Sequence, residues 1–215
     1  MITRQEFDLP SANFHRKFQI AHRAGLPREY FISCAVACAI AVFPFVKVDN
    51  RDVCFRAIES IEKYLNGEIS QSVYMKNIEN VFGIFDIVVS TISYAAASVT
   101  DISYLSAADA ARHAEKAVKE NRSNINIAEI VNQFVSWDHL LATRIVMAIN
   151  PTPVFPTWKT KQKDSDLDMI KKVMALPEEN KQKLFQYADT ILSCDDLKDE
   201  FGFLMQDYID KAGIT

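Results

Sequence analysis

Cys34 and Cys38 stand four positions apart, so on an α-helix their thiols share one face, the spacing of a metal-ligand pair. A structural zinc needs two more cysteines or histidines at matching spacing, and His113 and His139 do not form such a motif. Asp109 and His113 repeat the four-residue spacing, and Asp138 adjoins His139. Bundles that hold metal repeat carboxylates together with Glu-x-x-His pairs, and none is written here. The expectation is buried thiols and surface Asp–His pairs, with no metal and no cofactor.

Other chemistries leave as little trace. There is no G-x-S-x-G elbow, no G-x-x-x-x-G-K and no G-x-G-x-x-G, and no cysteine lies in an electropositive setting near a histidine. Arg16 and His22, with five residues between them, fit the Arg-x(4–6)-His spacing of helical ribonucleases of the HEPN type. That spacing arises by chance in most chains of this size, so catalysis is the alternative and no enzyme is expected. Four acids remain: Asp195, Asp196, Asp199 and Glu200 gather where a last helix should start, and carboxylates favour that end of the dipole. As a patch they would meet a basic protein partner, complementary charge raising the on-rate. Phe155 and Trp158, in a proline-rich stretch, are the candidate anchors of the same contact.

The elements that would position these residues are helices. Gly is 5 and Pro 7 of 215 residues, too few for a fold of many tight turns. The expected class is all-α: a multi-helix bundle, or a short solenoid-like stack of antiparallel helices, around a buried central helix. Tyr30–Val46 is almost wholly apolar and reads as that central rod, packed on every side and broken by Pro44. Before it, Asn13 caps a short helix that Gly25 ends. After it, Asp49 or Asn50 starts a helix with the stripe Cys54, Ala57, Ile58, Ile61 and Leu65, closed by Asn66-Gly67. A long helix is expected from Ser70 or Ser72 to Ser98, buried through Val81, Phe82, Phe85, Val88, Val89 and Ile92. An alanine-rich helix follows to Glu120, then one from the capping box Asn126–Glu129 to Asn150.

Pro151, Pro153 and Pro156 enforce extended backbone, which sets the domain plan. Residues 1–149 form the main helical domain, 150–163 a connector, and 164–215 an acidic helical unit docked on a body or a partner. Residues 164–215 carry 12 acids and 6 bases, against 16 and 18 in the remainder, so the net charge of −4 belongs to the C-terminal quarter. Without a basic surface to displace counterions, nucleic acid is not an expected partner. The rod holds 17 residues, with Ser33, two cysteines and Pro44, at the lower limit for a bilayer, so no membrane is expected either. The opening MITRQEFDLPS has charges and a proline where a leader needs an apolar run, and four cysteines outside any disulfide framework suit the cytoplasm.

One resemblance adds a role. An apolar helix ending A-x-x-V-F-P-x-F, then D-x-R, then R-A-I-E-x-I-x-x-Y-L-x-G-E-I-S, then alanine-rich helices, resembles the immunity proteins of bacterial polymorphic-toxin systems, in particular the helical "Imm-5-like" group. The matching residues are Cys38, Phe43, Pro44, Phe45, Asp49, Arg51, Arg56, Ala57, Ile58, Glu59, Leu65, Gly67, Glu68 and Ile69. The resemblance implies neutralisation of a protein toxin domain by stoichiometric contact and supplies no catalytic residue. A further alternative is a helical scaffold or oligomerisation module, a homodimer in which the alanine-rich helix meets its own copy across a two-fold axis.

Overall fold

The computed structural model describes residues 7, 13–100, 103–149 and 170–192, the side chains of 145–149 and 187–192 aside. Among the described residues there are nine α-helices of eight residues or more, two 3-10 turns and no strand, so the protein is all-α. The chain divides into two compact units, Met1–Arg23 with Arg28–Ser136, and Ala24–Pro27 with Trp137–Thr215. The connector expected at 150–163 lies outside the described residues.

The first unit holds α1 (Phe14–Arg23), α2 (Arg28–Val42), α3 (Arg51–Leu65), α4 (Gln71–Phe82), α5 (Ile87–Thr100), α6 (Ser103–Glu120) and α7 (Ile127–Phe134). At its centre α2, α5 and α6 pack on one another; α1 lies on α6, α7 on α2, and the α3–α4 hairpin on α5. Alanine explains the closeness: Ala107, Ala108, Ala110, Ala111, Ala114 and Ala117 of α6 are all fully buried. Small side chains let neighbouring axes approach. Aromatic rings then fasten α1: Phe18 meets Phe31 of α2 at 5.7 Å between centroids, and His22 stacks on Tyr104 of α6 at 4.2 Å. On the other side Tyr74 of α4 donates to the Ala96 carbonyl of α5 at 2.7 Å, and its ring stacks on Tyr64 of α3 at 4.8 Å.

Several helix ends fall where the sequence sets them. Asn13 Oδ1 accepts from Arg16 N at 3.1 Å, Ser70 Oγ from Val73 N at 3.4 Å, and Asn126 Oδ1 from Ala128 N at 3.1 Å. Gly67 takes φ 74°, which only glycine adopts without strain, and Glu68 N returns to the Lys63 carbonyl at 2.8 Å.

Three expectations are corrected. The helix drawn from Ser70 to Ser98 is two: α4 stops at Phe82, and Asp86 opens α5 by accepting from Val88 N at 2.9 Å and Val89 N at 3.4 Å. The helix drawn from Asn126 to Asn150 is also two, broken at Val135, whose φ −126° and ψ 68° are not helical. The apolar rod is central as expected but less completely enclosed. It ends as a helix at Val42, turns through 3-10 geometry at Phe43–Phe45, and fewer than half of residues 28–45 are buried. That stretch is long and apolar enough to cross a membrane by composition, a test that the core helix of a soluble protein also passes. The more enclosed helix is α5, with nine of fourteen residues buried against seven of fifteen in α2.

In the second unit α8 (Trp137–Ile149) packs on α9 (Glu178–Leu192), which follows a helical turn at 170–174. Pro177 precedes α9, where its missing N–H costs no bond.

Candidate functional site

The three cysteines among the described residues belong to the core. Cys34, Cys38 and Cys54 are fully buried, and burial pushes the thiols of Cys34 and Cys54 up, Cys54 to about 11. Such groups stay protonated and unreactive near neutrality. Among the described residues no three His, Cys, Asp or Glu converge as metal ligands. Arg16 and His22 share α1, but six helical positions turn the second about 120° from the first and move it about 9 Å along the axis. Both are exposed, and the His22 ring is engaged by Tyr104.

Asp109 does find a partner, though not the one its spacing suggested. It accepts from His15 Nε2 of α1 at 3.2 Å and from Arg112 Nη2 at 3.1 Å. Arg112 also reaches His113 Nε2 at 3.1 Å, and the His113 ring lies against Tyr94 at 5.0 Å. Burial, then the Arg112 charge, lowers the His113 pKa, so this imidazole stays neutral. With one carboxylate shared between His15 and Arg112, the cluster ties α1 to α6.

The larger feature is apolar. Where α2 ends, α3 begins, α4 ends and α5 begins, side chains that belong in a core face solvent: Phe85 is 104% exposed, Val48 75%, Phe55 58%, Ile40 57% and Phe82 50%. Ring contact at 6.4 Å joins Phe55 to Phe43, one helical turn beyond Ile40. Lys47 Nζ meets Asp86 Oδ2 at 3.0 Å and so ties the turn carrying Val48 to the loop carrying Phe85. Asp86 also caps α5, so the fully exposed phenyl ring is held next to a fixed anchor. Burial opposes ionisation of Asp86, but Lys47 and the Val88 and Val89 N–H groups prevail and hold its pKa below the ordinary value.

Charged side chains rim this end. Asp49, Arg51, Asp52 and Arg56 are all exposed. Arg51 Nε donates to the Val46 carbonyl at 3.3 Å, and Arg56 Nε to the Asp52 carbonyl at 3.2 Å, which orients both guanidinium groups. The sequence singled out none of Phe55, Val48 or Ile40, and it placed Phe82 and Phe85 in the core. Asp195, Asp196, Asp199, Glu200, Phe155 and Trp158 lie outside the described residues. No protein-family model, no curated protein and no solved structure matches the chain.

Proposed function

We propose that this chain is a toxin-neutralising binding protein of the cytoplasm, which blocks a protein toxin domain by stoichiometric contact and performs no chemistry of its own. It uses no cofactor and engages neither nucleic acid nor membrane. The observation that carries the reading concerns the fourteen residues of the immunity-protein resemblance. Only Cys38 and Ala57 among them are buried; Pro44, Asp49, Arg51, Arg56, Leu65, Gly67 and Glu68 are exposed and the rest half-buried. A pattern of which half faces water and only two residues are buried describes a surface, and a surface is what a protein acting by contact must keep. The apolar end supports the same class of function, because exposed aromatic side chains on a fixed backbone are the usual carriers of interface energy.

The toxin is assigned to Asp195, Asp196, Asp199 and Glu200, with Phe155 and Trp158 as anchors. Co-expression with the product of the neighbouring gene, as the candidate toxin, tests the reading. A one-to-one complex and protection of the host are expected, and reversing the four acids to lysine should weaken the complex at least tenfold. A toxin domain that neither co-purifies nor is inhibited refutes it.

A further inference from the structure

We propose that the exposed apolar end of the first unit is where two copies of this chain meet. The inference goes beyond the toxin-binding reading and leaves the acidic C-terminal residues to the toxin.

The apolar content calls for a cover, and the charges select it. Asp49, Arg51, Asp52 and Arg56 supply two charges of each sign around Val48 and Phe55, and none has an ion-pair partner among the described residues. Lys47 and Asp86, at 3.0 Å, neutralise each other. The rim is therefore balanced, with no pull toward an anionic bilayer or a polyanion, which need an excess of basic groups. A partner of a single strong sign gains as little. A second copy gains at every position. A two-fold axis sets residue i against j and j against i, so a patch carrying both signs in equal number is complementary to itself. Each guanidinium, already oriented by its Nε bond to a backbone carbonyl, then meets a carboxylate of the other copy in a charge-assisted pair. Ile40, Val48, Phe55, Phe82 and Phe85 form the apolar centre between these pairs. The alanine stripe of α6 cannot serve, because it is buried inside the unit by α1, α2 and α5.

Light scattering on the full chain tests the contact, with circular dichroism as a check on folding. At concentrations up to about 100 µM, the mass expected is twice the 24.4 kDa of the chain. Phe85→Ser, or Val48→Ser as a second and milder change, should weaken the dimer at least tenfold; both side chains are exposed and their loss opens no cavity. Two rims of one sign, Arg51→Glu with Arg56→Glu and Asp49→Lys with Asp52→Lys, should each be monomeric alone and form mixed dimers when combined. A wild-type mass of 24.4 kDa throughout overturns the proposal, as does a dimer indifferent to Phe85→Ser. Opposite rims that fail to pair on mixing overturn it as well. Sedimentation of the chain with phosphatidylserine vesicles, or toxin binding by a monomer that Phe85→Ser abolishes, gives this end to another occupant. A monomer that still neutralises the toxin would refute this inference and leave the binding function standing.

Discussion

His139 offers the sharpest test of the packing in the second unit. It is buried near the start of α8, with the Lys181 ammonium of α9 close by. Burial first, and the Lys181 charge second, lower its pKa from 6.5 to about 4. The unfolded chain therefore takes up a proton near pH 6.5 that the folded chain refuses until about pH 4. Within that window the unfolded state binds more protons, so stability rises with pH. The contribution is complete above the unfolded value and is lost as pH falls toward the folded one. At about 1.4 kcal/mol per pKa unit, a drop from pH 7 to about 4.5 should cost about 2.5 kcal/mol from this residue alone. Trp137 belongs to the second unit, so its fluorescence during urea unfolding, read with Trp158→Phe as background, follows that unit. Carboxylates titrate over the same range, and the quantity to measure is therefore the difference between wild type and His139→Gln at each pH. That difference should shift against the wild type by about 2.5 kcal/mol on acidification, while Lys181→Gln should recover a smaller part. Parallel pH profiles for wild type and His139→Gln would refute the reasoning.

Three further outcomes follow from the first unit. Tyr74→Phe keeps the ring stack on Tyr64 but removes the phenol's bond to the Ala96 carbonyl, and should cost about 0.5–1.5 kcal/mol in chemical denaturation. Asp86→Ala removes the cap on two N–H groups of α5 together with the Lys47 pair, and should cost about 1–2 kcal/mol. Because the pKa of Asp86 is lowered in the fold, its contribution is present above the ordinary carboxylate value and fades as pH falls below it. Arg122 follows α6 with φ 51°, the left-handed region, so Arg122→Gly should raise the thermal midpoint, by about 0.5–1 kcal/mol in stability.

Helical spacing made most of the core legible. Cys54, Ala57 and Ile61 are buried as their stripe requires, and so is every alanine of the α6 stripe, because a face that recurs at helical period needs no knowledge of its neighbour. Leu65, written into the same stripe, is half exposed, the last residue of α3. Enclosure itself was harder to read. Apolar composition pointed to α2, yet α5 is better covered and carries Thr91, Ser93 and Ser98. Those hydroxyls bond back to carbonyls of their own helix, Thr91 to Ile87 at 3.2 Å, Ser93 to Val89 at 3.0 Å and Ser98 to Ala95 at 2.7 Å. A hydroxyl satisfied within its own helix is cheap to bury, so a helix carrying three of them can still be the better covered.

The apolar end was illegible for a related reason. Val81, Phe85, Val88, Val89 and Ile92 keep helical spacing straight through the break between α4 and α5, so periodicity alone draws one helix with Phe85 inside. The break depends on Asp86, and Asp86 is held by Lys47, a residue 39 positions away in the chain. Once the helix ends at Phe82, the ring two residues past Gly83 leaves the buried face and stands in water. A solvated phenyl ring contributes nothing to this fold, whereas an uninterrupted helix would have buried it at no cost in sequence. The capped, cross-linked loop thus gives up core burial in exchange for presentation, and that is the physical ground for reading this end of the bundle as a place of contact.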